Sequence, residues 1–203
     1  KVSILYTAPT LIRTWMKWGD EYPNGSNLSS LRLLGSVGEP INPEAWMWYR
    51  EVIGKNNCPI VDTWWQTETG FTIAGNPAGL ETLPVKVGSP TVPMPGYDVQ
   101  ILDDTGHSVP TGELGAIAIK LPLPPGTFPT LWNAKDRFRK SYLTTFPGFY
   151  ETGDAGIMDE DGYLYIMART DDVINVAGHR LSTGAMEEVL AGHPDVAECA
   201  VVG

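Results

Sequence analysis

Asp62-Thr63-Trp64-Trp65-Gln66-Thr67-Glu68-Thr69-Gly70 decides how the chain is read. It follows Pro59-Ile60-Val61, a short apolar run with the character of a buried strand. Two adjacent tryptophans at a strand end are costly to leave in water, and each can wall a pocket with a large apolar face. Thr67, Glu68 and Thr69 then supply hydroxyls and a carboxylate, donors suited to phosphate and a hard cation. An apolar wall beside oxygen donors suits a small organic acid meeting a nucleotide. A Trp-rich core strand closed by a polar turn is the alternative that this stretch alone leaves open.

Working outward, a β/α alternation precedes the segment. Lys1 to Tyr6 reads as a strand, and Tyr6-Thr7-Ala8-Pro9 leads into a helix with Leu11, Ile12, Trp15 and Met16 at helical spacing. Leu31 to Leu34 reads as a strand ending in Gly35-Ser36-Val37-Gly38. Asn42 is placed to cap a helix with Pro43 at its first position and Glu44 at the positive end of its dipole. Trp46, Tyr49, Val52 and Ile53 continue it to Gly54. Strand, helix, strand, helix, strand predicts a parallel sheet.

Beyond Gly70 glycine and proline become frequent. Val99 with Ile101 and Ile117 with Ile119 mark short strands, and Asp103-Asp104-Thr105-Gly106 and Asp159-Glu160-Asp161-Gly162 mark turns. Antiparallel hairpins, as a distorted barrel or a second sheet, are expected. Leu121 to Gly126 is a proline-rich loop, and Thr183 to Leu190 a helix burying Met186, Val189 and Leu190.

Composition sets limits. The 203 residues allow a sizeable core, 42% are hydrophobic, and the net charge of −10 argues against a nucleic-acid surface without excluding a nucleotide ligand. Cys58 and Cys199 imply no disulfide framework, a reducing cytoplasm is the expected compartment, and no run approaches membrane-spanning length. Both ends look cut, so the chain is expected to be an internal portion of a longer protein.

Two more segments carry chemistry. Tyr150-Glu151-Thr152-Gly153-Asp154 reads as a strand end with a turn glycine and a carboxylate able to accept hydrogen bonds from ribose hydroxyls. Arg169-Thr170-Asp171-Asp172-Val173-Ile174-Asn175-Val176-Ala177-Gly178-His179-Arg180 is the second. With the Trp64-Trp65 segment, in this order, they resemble the AMP-forming acyl-CoA synthetases of the adenylate-forming superfamily, nearest the short-chain acetyl- and propionyl-CoA synthetases. The resemblance runs over essentially the whole chain.

The resemblance implies a mixed α/β architecture. Residues 1–170 would be the C-terminal part of the large adenylation domain, and 171–203 a hinge at Asp171 with the start of a small α+β domain. It implies ATP, CoA and Mg2+ as cofactors, acetate or propionate as substrate, and no nucleic-acid or membrane partner. Gly38-Glu39-Pro40 would contact adenine, the alternative being an ordinary tight turn. Asp62, Thr63, Trp64, Trp65, Gln66 and Thr67 would line the ATP, with Thr67 at the α-phosphate and Glu68 holding magnesium. Val37 and Trp65 would bound the acyl pocket. Asp154 would hold the ribose, and Arg169 and Arg180 the phosphates; for Asp154 a capping turn, and for Arg169 a salt bridge with Asp171 or Asp172, are the alternatives.

Ala177 and Gly178 would face CoA, with Ala177 standing where acetyl-type members usually carry a hydroxyl residue. His193, with the backbones of Ala191 and Val196, matches a cation site in some members. Residues 1–70 look acetyl-type and residues 84–203 propionyl-type. The family's phosphate loop lies upstream and its catalytic lysine downstream of these segments, so the chain alone is not expected to turn over. A non-catalytic nucleotide-binding module is the alternative of a different class.

Overall fold

The computed structural model describes residues 1–170, 173–176, 179–191, 193, 196 and 199–201. The chain divides into two compact units, Lys1–Met94 and Pro95–Gly203. The expected boundary at Asp171 falls outside the described residues.

In the first unit, β1 (Ile4–Thr7), β2 (Leu33–Ser36) and β3 (Ile60–Trp64) pair in parallel, as the alternation predicts. β4 (Ala74–Gly75) and β5 (Val92–Pro93) extend the sheet antiparallel, in the order β1-β2-β3-β4-β5. Helix α1 (Pro9–Trp18) and a short α2 (Glu21–Asn24) connect β1 to β2. Helix α3 (Pro43–Trp48) runs into a π-helical turn, Tyr49–Ile53, before β3. The core joins Ile12 of α1 to Leu34 and Ile60 of the sheet and to Ala45, Trp46, Tyr49 and Ile53. The buried Tyr49 hydroxyl donates to the Leu5 carbonyl at 3.1 Å, so the π turn is stitched to the sheet by a polar contact that burial makes costly to lose.

Some local expectations are corrected. β2 starts at Leu33 rather than Leu31. Leu11 is exposed, Trp15 and Met16 are half-buried, and Ile12 alone of the α1 stripe is fully buried. Asn42 occupies the N-cap position of α3, yet its side chain makes no capping bond; it turns inward, leaving a buried Oδ1 without a partner.

The second unit holds an open antiparallel sheet, β6 (Val99–Leu102), β7 (Gly115–Lys120), β8 (Phe149–Met158) and β9 (Leu164–Arg169). Of the two arrangements expected here, it is a second sheet and not a closed barrel. The turns form as predicted: Asp103 Oδ1 accepts the N–H groups of Thr105 and His107, and Asp159 Oδ1 those of Asp161 and Tyr163. Helix α4 (Lys135–Tyr142) lies between β7 and β8 in sequence. A hairpin, β10 (Val173–Val176) with β11 (His179–Ser182), precedes helix α5 (Thr183–Ala191). The buried side expected for that helix is only partly so: Met186 is half-buried, while Val189 is 79% and Leu190 47% exposed.

Gly35 shows how tightly the strand ends are packed. Its Cα lies under the Tyr6 ring, and an added Cβ would overlap that ring. Gly35→Ala should therefore destabilise the chain by about 1–3 kcal/mol, read by urea unfolding. In a Tyr6→Ala background the same substitution should cost far less; equal costs in the two backgrounds would show that the ring is not what Gly35 accommodates.

Candidate functional site

Parallel strands end on one edge, and ligands of open α/β sheets bind outside those carboxyl ends. Here β1, β2 and β3 deliver three segments to that edge: the N-terminus of α1, Val37 to Pro40, and Trp65 to Gly70. The structure thus brings together Gly38-Glu39-Pro40 and Asp62 to Thr67, which lie 22 or more residues apart in sequence.

A chain of hydroxyls crosses the three strand ends. Thr63 Oγ1 donates to the Ser36 carbonyl at 2.9 Å and so accepts from the Tyr6 hydroxyl at 2.6 Å. Asp62 shares the core-facing side of β3 with Ile60 and Trp64 and is paired across the ladder with Ser36. Burial pushes its carboxyl up to about 7; the Ser36 hydroxyl and the Thr63 N–H oppose the shift. Ser36 Oγ is close enough for that influence but makes no hydrogen bond of ordinary geometry.

Strand alternation separates the two tryptophans that the sequence presents as one wall. Trp64 is in the core, while Trp65, past the strand end, is 40% exposed. Thr69, one of the three oxygen donors expected at phosphate, is spent on the turn. Its hydroxyl accepts the Gln66 N–H at 3.2 Å and lies 2.9 Å from the Gln66 carbonyl. That staple presents Thr67 on the outside of the turn, with Glu68 half-buried beside it. Val37 is half-buried directly after β2, its N–H donating to the Thr7 carbonyl at 3.1 Å.

Glu39 was expected at adenine, and its carboxylate meets α1: Oε1 accepts the Thr10 N–H at 2.6 Å, and Arg13 Nη2 lies 3.1 Å from Oε2. Thr10, Arg13, Tyr6 and Ser36 went unnoticed in the sequence as site residues. The signal available was the position of Ser36 and of Tyr6-Thr7-Ala8-Pro9 at the same carboxyl edge as Gly38.

In the second unit, Asp154 and Arg169 meet. They are cross-strand partners of β8 and β9, with Arg169 Nη1 donating to Asp154 Oδ1 at 3.1 Å and to the Thr152 carbonyl at 3.3 Å. Asp154 is not at a strand end; it lies inside the ten-residue β8, where Gly153 has φ +72° and bends the strand without ending it. A Cβ on Gly153 would stand 2.5 Å from Arg169 Nη2, so only glycine lets the guanidinium lie there. Thr152 donates to the Ile117 carbonyl at 2.6 Å, where the β7 register slips, and accepts the Asp154 N–H at 3.1 Å.

Arg180 pairs with Asn175 in the β10–β11 hairpin. Asp171, Ala177 and Gly178 lie outside the described residues. Near the end of the chain, His193 N–H donates to the Leu190 carbonyl at 3.1 Å and Val196 N–H to the His193 carbonyl at 3.0 Å. Among the described residues no group of three or more His, Cys, Asp or Glu is placed to hold a metal. No helix among them is long and apolar enough to cross a membrane.

The first unit thus presents the kind of strand-end edge at which α/β enzymes bind nucleotides. The family model described as AMP-binding enzyme matches residues 1–132, and the chain belongs to that family. It is similar to the acetyl-coenzyme A synthetase of Nitrosomonas europaea, 54% identical over 207 residues, covering 100% of this chain and 31% of that protein. The acetyl-coenzyme A synthetase of Rhodopirellula baltica is 54% identical over 203 residues, again covering 100% of this chain and 30% of the relative. The crystal structure of the anthranilate CoA ligase AuaEII in complex with anthranoyl-AMP superposes with a TM-score of 0.80 at 30% identity, over 99% of this chain and 36% of that one. The chain spans about a third of the length of the curated relatives it matches.

Neutral Asp62 makes stability depend on pH. The folded chain holds this proton more tightly than the unfolded chain, so its contribution is full in acid, below the ordinary carboxylate range, and is lost as pH rises through about 7. Subtracting the urea-derived stability of Asp62→Asn from that of the wild type at each pH should give a difference that falls from pH 5 to pH 8. A flat difference would mean that Asp62 is ionised and solvated in the fold.

Proposed function

We propose that the chain forms the nucleotide- and acid-handling part of an AMP-forming short-chain acyl-CoA synthetase, a ligase that converts acetate, ATP and CoA to acetyl-CoA, AMP and pyrophosphate. The observation that carries it is the meeting of Val37–Pro40 and Asp62–Thr67 at neighbouring carboxyl strand ends, in a chain 54% identical along its whole length to acetyl-coenzyme A synthetases.

The carboxylate oxygen of the acid attacks the α-phosphorus of ATP, the bond to pyrophosphate breaks, and an acyl-adenylate forms. The CoA thiol, losing its proton, then attacks the acyl carbon and AMP leaves. Neither half needs a protein nucleophile; positioning and charge stabilisation suffice. Gly38-Glu39-Pro40 takes the adenine side, Asp62 to Thr67 flank the nucleotide, and Thr67 contacts the α-phosphate. Asp154 accepts the ribose hydroxyls, while Arg169 and Arg180 face phosphate.

Glu68, an oxygen donor beside the exposed Thr67 on a turn, fits the hard-donor preference of Mg2+. The ion, when bound, neutralises phosphate charge. The CoA role falls to Ala177 and Gly178, residues 171–203 form the hinge at Asp171 and the beginning of a small domain, and His193 with the Ala191 and Val196 backbones takes a second cation. The cytoplasm is the compartment where these substrates meet.

Acetyl-CoA synthetase of N. europaea with its matching third replaced by this chain is the test object. In it, Asp154→Ala and Arg169→Ala should each raise KM for ATP at least about tenfold, the scale of a lost charge-assisted hydrogen bond, while Tm moves little. Variants that unfold without a selective ATP effect would leave the ion pair a purely structural one.

Acid selectivity rests on Val37 and Trp65. Valine fills more of the pocket than alanine, and each methylene is worth about 1–3 kcal/mol of discrimination. Acetate should be preferred to propionate, Val37→Ala should narrow or reverse that ratio, and Trp65→Gly should admit longer acids. A wild type that already prefers propionate, or ratios untouched by both variants, would move specificity to the second half of the chain.

A further inference from the structure

Helix α1 lacks a cap of its own. Ala8 holds the N-cap position and has no side-chain acceptor, and Pro9 has no N–H, so the Thr10 N–H is the first to need a partner. Glu39 supplies it from another strand-end loop. Its Oε1 accepts both the Thr10 N–H, at 2.6 Å, and the Thr10 hydroxyl, and Oε2 takes Arg13 Nη2 at 3.1 Å. Arg13 Nη2 also donates to Thr10 Oγ1 at 3.0 Å, which closes the cluster. A carboxylate here also meets the positive end of a ten-residue helix. Burial opposes ionisation, but the Thr10 hydroxyl, the Thr10 N–H and Arg13 outweigh it and hold the carboxyl below its ordinary value.

Among the described residues, the loop beside this anchor is held at its start by Val37 and at its end by the buried Ile41. Val37 N–H is the last of β2's loop to bond to β1, and Pro40 has no N–H to give. Between them Gly38 has φ +99°, and nothing lies within 4 Å of where its Cβ would be. The Gly38 backbone is therefore open on one side while the neighbouring side chain is tied to α1.

We infer that Thr10 and Arg13, acting through Glu39, are positioning residues for the nucleotide base: the clamp holds Val37–Pro40 in the backbone course that faces adenine, and the Glu39 carboxylate serves the clamp and not the base. The inference rests on the proposed nucleotide role of this loop. It removes Glu39 from the groups that recognise adenine by side chain and adds two residues of α1 to those that determine ATP affinity.

The test uses the same full-length ligase carrying this chain, with steady-state kinetics for ATP, GTP and acetate and a melting curve for each variant. Glu39→Ala should raise KM for ATP about tenfold, the scale of a lost cap and charge-assisted bond. Arg13→Ala, which removes a half-exposed and screened ion pair, should raise it about two- to fivefold. Both should leave KM for acetate within about twofold and reduce the preference for ATP over GTP. Glu39→Gln keeps an acceptor for the Thr10 N–H and should recover most of the loss; Arg13→Lys should recover part. If Glu39→Ala does not fold, Arg13→Ala decides, since that side chain is 39% exposed and its loss leaves the cap itself in place.

A fall in Tm with both KM values moving together overturns the inference, because a merely structural cap behaves so. Unchanged kinetics in all variants, or Gln as damaging as Ala, overturns it as well. A wild-type ligase that forms acyl-CoA without consuming ATP overturns the proposed function, and the clamp with it; a wild type that needs ATP while Arg13→Ala keeps its KM overturns the clamp alone.

Discussion

Parallel pairing of β1, β2 and β3 is the constraint on which the first unit depends. Parallel strands must finish at the same edge, so the segments that follow them become neighbours whatever their distance in sequence. Hydrogen bonds from the Tyr6 hydroxyl to the Thr63 hydroxyl and on to the Ser36 carbonyl tie those ends together, and Gly35 gives the Tyr6 ring room to reach across. The core of Ile12, Leu34, Trp46, Tyr49 and Ile60 fixes the helices that leave and re-enter the sheet. Loops anchored on such a frame lose little conformational entropy when they bind a ligand, which is what a site made of short loops requires.

Charge is used at close range in both units and in the same manner. Glu39 is held by a helix terminus and Arg13, and Asp154 by Arg169 across a β ladder. In each pair the carboxylate belongs to a segment that the sequence marks as nucleotide-binding and a cation holds it, Arg169 belonging to such a segment itself. Asp62 is the contrast. It has no cation, it is buried, and it is driven toward the neutral form. In a chain with a net charge of −10, two carboxylates at this edge thus carry less negative charge than their number suggests: Glu39 is paired with Arg13 and Asp62 is driven toward the neutral form.

Much of the fold was legible from local pattern. Apolar spacing and the Pro-initiated helices gave β1 through β3 and α1 and α3, and Asp-Gly turn chemistry gave the hairpins of the second unit. What could not be read depends on tertiary contacts. Nothing local tells that Trp64 and Trp65 part company, that the Thr69 hydroxyl is consumed by its own turn, or that Asn42 turns inward instead of capping. Asp154 looked like a strand end because Gly153 breaks the pattern, yet the ladder continues past it. The Glu39–Thr10–Arg13 cluster was hidden because its members lie 26 to 29 residues apart and only the β1–β2 pairing brings them together.

The central claim is that the edge formed by β2 and β3 holds the nucleotide. The most direct measurement is an amide and indole NMR titration of this chain with AMP. The account predicts saturable shifts concentrated at Val37 to Glu39 and Trp64 to Thr67, including the Trp65 indole N–H, with uridine monophosphate producing markedly smaller ones. Shifts confined to other parts of the sheet, or identical responses to the two nucleotides, would contradict it.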